Sequence, residues 1–192
     1  MLNTIKISFI ISVLLLTGCA HQIQLNPQMD KFAVSENKID KVVGYHISTE
    51  NIAKKVTTPG GGGDKISYFP YKETEAVLYT VLTNKFKDVY SVSDVNDKNF
   101  LKEKDIYLIF IPEIVTNSSS NSLFTWPPTS FTYSLTLKAI NNENETFWEK
   151  RITAEGKAEY GEFKSDFSLS ARRATEEVFL QLAEELDLLT LK

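Results

Sequence analysis

Residues 105–115 read DIYLIFIPEIV, and this segment is apolar at both of its alternating sets of positions. A strand with one wet face alternates apolar and polar residues, whereas a strand covered on both faces is apolar throughout. The segment therefore predicts a central strand of a sheet. Because proline has no N–H to donate, we expect strand pairing to weaken at Pro112 or to face an edge there.

Two further segments predict an antiparallel hairpin beside this strand. Residues 131–140 alternate between apolar and polar positions, and residues 146–160 form a second long strand-forming run. A polar turn, NNEN at 141–144, separates them. Residues 41–48 and 89–92 predict two more strands, and residues 49–65 predict a long loop.

Two segments have the apolar spacing of helices. One begins at Pro70, which suits the first turn of a helix, and continues to residue 86. The other covers residues 171–189 and has an apolar stripe with charges elsewhere. The element order predicts an α+β fold: a two-layer sandwich with a mostly antiparallel sheet of about five strands and two helices on one face.

The start of the chain has the pattern of an export signal. Lys6 precedes an apolar run that ends at Leu16 and is followed by small residues. This arrangement is typical of a secretory signal peptide, and the run is shorter than the roughly 20 apolar residues that cross a bilayer. We therefore expect residues 1–18 to be a signal peptide.

The residues at 16–19, Leu-Thr-Gly-Cys, resemble the lipobox of bacterial lipoproteins. The resemblance implies that the Cys19 sulfur receives a diacylglycerol, that cleavage occurs before Cys19 and that the new amino group is acylated. Ala20 stands where an Asp often retains such proteins at the inner membrane, so the chain is similar to members directed to the outer membrane. The alternative is an uncleaved hydrophobic start with an incidental cysteine.

The expected organisation is a signal peptide at 1–18, a lipidated flexible tether at 19–40 and a single periplasmic α+β domain at 41–192. The full chain has 21 Lys+Arg and 25 Asp+Glu. Removing Lys6 leaves 20 against 25, a net charge of −5, without the basic patch that nucleic acid binding needs. Cys19 is the one cysteine, which excludes an intrachain disulfide.

Three segments of the domain resemble a family of uncharacterised bacterial lipoproteins: PGGGGDKISYFPY, FTWPPTSFTYSL and EFKSDFSLSARRA. The likeness extends over about residues 41–189, and the family has no activity to transfer. The element order is also similar to the fold group of the lipopolysaccharide-assembly lipoprotein, auxiliary lipoproteins of ABC transport and the amino-terminal domain of the Tol-Pal translocation protein.

The glycine run TTPGGGGDK at 57–65 does not fit a phosphate-binding loop. Asp64 stands where a P-loop has its lysine, and the spacing of a dinucleotide fingerprint also fails. The run predicts a flexible turn. The alternative is a contact loop in which a partner approaches the bare backbone of Gly60, Gly61, Gly62 and Gly63.

Catalytic and metal-binding patterns are missing from the sequence. The two histidines, His21 and His46, have no zinc-site spacing, and the acidic residues 94–105 lack the EF-hand pattern. We expect no metal and no cofactor. A serine triad through His46 has no GxSxG to support it, so we expect a protein that is not an enzyme.

Residues 117–130, NSSSNSLFTWPPTS, predict a long loop with aromatic and proline side chains. Long loops are often functional, and Phe124, Trp126, Pro127 and Pro128 suit contact with an envelope protein or a glycan. The alternative is that these side chains cap the core.

The leading hypothesis is a non-enzymatic accessory or scaffold lipoprotein in an envelope assembly or transport complex. The alternatives are an envelope hydrolase or glycan-binding protein, and a self-assembling ring lipoprotein.

Overall fold

The computed structural model describes residues 20–32, 38–163 and 165–191. The strands are β1 (His21–Gln22), β2 (Ile39–Tyr45), β3 (Val56–Pro59), β4 (Lys65–Tyr68), β5 (Phe86–Ser91), β6 (Ile106–Ser119), β7 (Ser130–Ile140) and β8 (Thr146–Lys157). The α-helices are α1 (Thr49–Ala53), α2 (Pro70–Lys85), α3 (Lys98–Glu103) and α4 (Leu169–Asp187), and Met29–Lys31 is a 3-10 helix. The expected signal peptide and the expected acylation site, Cys19, lie outside the described residues.

The strands form two sheets, one of five strands and one of three. The five-stranded sheet has the order β5-β2-β6-β7-β8, and the three-stranded sheet has the order β1-β4-β3. β2 pairs in parallel with β5 and β6, whereas the longer pairings of β7 with β6 and β8 are antiparallel. The α+β sandwich is therefore confirmed, with β6 in the middle of the large sheet. The sequence did not predict the smaller sheet.

Both faces of β6 are covered, as its apolar sequence predicts. Leu108 and Phe110 lie in the main core, which also includes the buried faces of α2 and α4. Ile109 lies in a second, smaller cluster with Leu101 of α3. The two helices predicted from the sequence thus share one face of the large sheet, and the short helix α3 covers part of the other face.

Pro112 ends the pairing between β6 and β2. The His46 N–H donates to the Phe110 carbonyl at 2.9 Å. The next β6 donor on that side would belong to residue 112, and proline has none. The Ile114 N–H instead donates to the hydroxyl of Tyr71 in α2 at 3.0 Å. The expected weakening of pairing at Pro112 is confirmed.

The loop expected over residues 49–65 contains regular structure instead. Thr49–Ala53 is a helix, and the Ser48 hydroxyl caps it by accepting the Asn51 N–H at 3.2 Å. β3 and β4 then form an antiparallel hairpin, and the glycine run is its turn. The glycines therefore form the turn of a hairpin, where the sequence predicted a flexible turn within a long loop.

Residues 20–32 pack against the domain, which corrects the flexible tether expected over 19–40. β1 pairs in parallel with β4, with His21 opposite Ile66. Ile23 and Leu25 are buried in the main core, and the Leu25 N–H donates to Glu73 at 2.8 Å. Each buried aliphatic side chain contributes about 1.5–3 kcal/mol toward holding this segment on the domain. Residues 33–37 of the expected tether lie outside the described residues.

No helix within the described residues combines the length and the apolar character that crossing a bilayer requires.

Candidate contact surface

The glycine turn and the loop after β6 lie against each other. The Gly61 N–H donates to the Trp126 carbonyl at 2.8 Å, and the Gly62 N–H donates to the Ser122 carbonyl at 3.0 Å. The sequence marked both segments as candidate contacts but gave no indication that they are neighbours. They form one continuous surface at one end of the molecule.

Glycine is required in this turn because the two backbones approach closely. A Cβ at Gly61 would lie 1.9 Å from the Thr125 carbonyl oxygen, and a Cβ at Gly60 would lie 2.5 Å from the Trp126 carbonyl oxygen. Gly62 and Gly63 have φ values of 65° and 84°, in the left-handed region that glycine adopts without strain. The bare backbone of Gly60 and Gly61 is thus covered by the protein's own loop, while Gly62 and Gly63 are exposed.

We expect Gly61→Ala to separate the turn from the loop, whereas Gly63→Ala should leave the two in contact. The first change places a methyl group against a carbonyl oxygen, an overpacking that costs about 1–3 kcal/mol. The second meets no atom within 4 Å and adds only left-handed strain of about 1 kcal/mol. Amide hydrogen exchange at residues 120–127 should rise in the Gly61 variant and stay near wild type in the Gly63 variant. Equal exchange in both variants would refute the close approach.

Trp126 and the two prolines that follow it close the end of the core. The His21 ring stacks on the Trp126 ring with 4.3 Å between centroids and 11° between planes, and Phe167 lies 5.0 Å away on a tilted plane. Pro127 and Pro128 are buried, and the Pro128 carbonyl accepts the Ser170 hydroxyl at 2.9 Å. The side chains of these three predicted residues therefore cap the core.

Other side chains of this region face solvent. Phe124 is 94% exposed and Leu123 is 80% exposed. Phe124 lines one cleft with Trp126, Tyr160 and Phe167, and the last two are 68% and 50% exposed; Leu123 precedes Phe124 in the chain. We call Leu123, Phe124, Trp126, Tyr160 and Phe167 the aromatic patch. Large contiguous apolar surfaces of this kind usually mark interaction sites.

An ion pair holds the segment that carries Tyr160 and Phe167. Both Glu162 carboxylate oxygens accept hydrogen bonds from the Arg173 guanidinium in α4, at 2.8 and 3.1 Å. Glu162 also accepts the Glu159 N–H at 2.9 Å. The Arg173 hydrogen bonds lower the pKa of Glu162 to about 2. The carboxylate thus fastens the outer segment to the helix in its ionised form.

Acidification is expected to loosen this segment. The folded pKa of Glu162 lies below its ordinary value of 4.5, so the stabilisation is present above pH 4.5 and is lost as the pH falls toward about 2. The effect should be small and weakened by salt, because the pair is at the surface. NMR amide shifts of residues 159–163, followed from pH 6 to pH 2.5, should move in this window for wild type. A Glu162→Gln variant with the same pH profile would show that the pair does not control the segment.

His46, the candidate base of the hydrolase alternative, makes a structural contact. Its Nδ1 lies 2.7 Å from the Val92 carbonyl oxygen, just beyond the end of β5. In the described part of the chain, no group of three or more His, Cys, Asp or Glu residues is placed to hold a metal ion. The acidic residues near 94–105 include the cap of α3, where Asp97 accepts the Phe100 N–H at 3.0 Å.

No family model and no curated protein matches the chain. Several solved structures resemble it. A Helicobacter pylori protein assigned as a homologue of the neuraminyllactose-binding hemagglutinin has a TM-score of 0.52 and 13% identity, covering 86% of this chain and 91% of that one. A Caulobacter crescentus protein assigned as a lipoprotein has a TM-score of 0.39 and 8% identity, covering 76% and 88%. PelC from Paraburkholderia phytofirmans, solved as a dodecamer, has a TM-score of 0.39 and 12% identity, covering 75% and 89%. The first of these likenesses shows a shared fold.

Proposed function

We propose that this protein is a bacterial envelope lipoprotein, held by an acylated Cys19 in the inner leaflet of the outer membrane and facing the periplasm. It acts there as a non-enzymatic accessory or scaffold in an envelope assembly or transport complex. The observation that carries the proposal is the lipobox-like sequence Leu-Thr-Gly-Cys at 16–19, and the structure adds the contact of His21 with Trp126. This contact joins His21, two residues after Cys19, to the exposed aromatic patch.

The chemistry of the cleft beside the aromatic patch favours an accessory role over catalysis at that site. The cleft beside the patch is lined by aromatic and proline side chains together with Thr125, without a histidine or a carboxylate. Enzymes place titratable groups within reach of a bound substrate. His46 is instead engaged by the Val92 carbonyl. The shared fold adds no argument here, because one fold hosts many functions.

Glycan binding is the second candidate, and the exposed aromatic rings favour it. Sugars stack on such rings, and the H. pylori protein is named for a glycan ligand. A sugar site also needs several placed polar groups to fix the hydroxyls. The cleft lining supplies few of them: the Thr125 and Tyr160 hydroxyls and the Trp126 ring nitrogen.

Complementation of a deletion strain tests the accessory role against the enzymatic one. Loss of the gene should raise sensitivity to a large antibiotic that an intact outer membrane excludes, and the wild-type protein should restore the barrier. His46→Ala should restore it equally, since His46 has no catalytic part in this account. Phe124→Ser should fail to restore it, because the patch loses its most exposed aromatic residue.

Leu188→Ser is the matched control for the Phe124 variant, since Leu188 is 77% exposed and follows the far end of α4. It should complement fully. A deletion without a barrier defect would contradict the accessory role. Failure of His46→Ala at normal protein level would favour the hydrolase. The mass of the purified protein in detergent separates a ring from a monomer.

A further inference from the structure

Only a short stretch of chain connects Cys19 to the aromatic patch. Consecutive Cα atoms are about 3.8 Å apart, so the Cys19 Cα lies within about 8 Å of the His21 Cα. His21 is itself stacked on Trp126, and its Nε2 lies 3.3 Å from the Asp64 carboxylate. Acyl chains attached at Cys19 would therefore begin beside the patch.

The residues after His21 hold this end of the chain in place. β1 pairs with β4, and the Ile23 N–H donates to the Ser67 carbonyl at 3.0 Å. Ile23 and Leu25 are buried at 1% and 0% exposure. Only Ala20 separates Cys19 from this fixed segment. A domain anchored at Cys19 must therefore present the patch end to the bilayer.

The patch has the side chains that enter a membrane interface. Tryptophan and tyrosine are enriched where lipid headgroups meet the acyl region, since their rings are apolar at one end and polar at the other. Phe124 and Leu123 project beside them at 94% and 80% exposure. Removing these side chains from water is favourable in proportion to their apolar area.

Electrostatic attraction does not hold the domain against the membrane surface. The chain from Cys19 onward carries a net charge of −5, which an anionic lipid surface repels. The free energy gained by apolar burial depends on the apolar area removed from water and not on the sign of the lipid charge. Lipid therefore suits the patch better than an acidic glycan, which would meet the same repulsion and find only a few polar partners in the cleft.

We propose that the aromatic patch inserts into the lipid interface of the membrane that holds Cys19, so that this end of the domain lies on the bilayer. The inference rests on the proposed function, because it requires an acylated Cys19. It deepens that function by identifying lipid as what the patch contacts. The opposite end, where α4 terminates, then points into the periplasm and is free for protein partners.

Spin labels placed by cysteine substitution test the depth of the patch. The acylated chain has no free thiol, because Cys19 is the one cysteine, so Phe124→Cys adds a unique labelling site. Leu188→Cys is the matched control, since α4 has 19 residues and spans about 28 Å. Both lipoproteins, isolated from membranes, are reconstituted into phosphatidylethanolamine–phosphatidylglycerol vesicles. Collision rates with oxygen and with a water-soluble nickel chelate are then measured.

The label at 124 should collide severalfold less with the nickel chelate and more with oxygen than the label at 188. Equal collision rates at the two positions, with Cys19 acylated by mass spectrometry of the same sample, would overturn the inference and leave the proposed anchor intact. An unmodified Cys19 in that sample would overturn the anchor and the inference together. Both variants alter exposed side chains, so the fold should be unaffected.

Discussion

Gly156→Ala is expected to lower the free energy of unfolding by about 3 kcal/mol, at the upper end of overpacking costs. Gly156 lies in β8 directly under the first turns of α4. A Cβ there would lie 2.0 Å from the Ser170 carbonyl oxygen and 2.5 Å from the Ala174 nitrogen. Both are backbone atoms, so α4 as a whole must shift. That helix supplies Val178, Leu182 and Leu186 to the main core.

Thermal unfolding followed by circular dichroism measures this loss. For a domain of this size the midpoint should fall by about 6–12 °C. Gly161→Ala is the matched control, since a Cβ at Gly161 meets no atom within 4 Å and its φ is not left-handed. That variant should stay within about 0.5 kcal/mol of wild type. A Gly156 variant as stable as the Gly161 variant would mean that α4 does not pack on β8 in this way.

Cys19→Ser is expected to abolish both acylation and signal cleavage. The proposed pathway acts on the Cys19 sulfur before the cut, and a serine hydroxyl does not replace it. The variant should migrate as the longer precursor and disappear from the outer-membrane fraction. Immunoblots of separated inner and outer membranes measure both effects. The effect should be all-or-none, because the anchor is either present or absent.

His21→Ala is the matched control for the Cys19 variant. It changes a residue two positions away and removes the ring stacked on Trp126, but it leaves the segment at 16–19 intact. It should be processed and anchored like wild type. A Cys19→Ser protein with the wild-type amino terminus and the wild-type location would refute the acylated anchor.

Long elements with a clear period could be predicted from the sequence. The doubly apolar pattern at 105–115, the alternation at 131–140 and the helical stripe at 171–189 are each explained by one burial pattern. β6, β7 and α4 lie where those patterns predict them. Pro70 is also confirmed as the first residue of a helix.

Short elements that depend on distant partners could not be predicted in this way. β1 has two residues and exists because β4 offers it a free edge. The alternation of Ile23 and Leu25 with glutamines spans only four residues, too few to distinguish a strand from a tether. α3 has six residues, and its one sequence signal is the capping Asp97.

The contact surface was predicted in part. The sequence places Phe124 and Trp126 in one loop, and the structure gives them different environments: one is exposed and the other caps the core. Tyr160 and Phe167 were not predicted as surface contacts, because the sequence places them at the end of a strand and just before a helix. The segment has three aromatic residues, Tyr160, Phe163 and Phe167, and they would stand out only if the neighbouring loop were known to be close. The contact between the glycine turn and the loop after β6 is a tertiary contact, and no local sequence pattern predicts it.

Mass spectrometry of the amino-terminal peptide, taken from protein isolated from bacterial membranes, tests the proposed anchor most directly. We expect a peptide that begins at Cys19, with a diacylglycerol on the sulfur and an acyl group on the amino nitrogen. A peptide that begins at Met1, or a mature start elsewhere with a free Cys19 thiol, would contradict it.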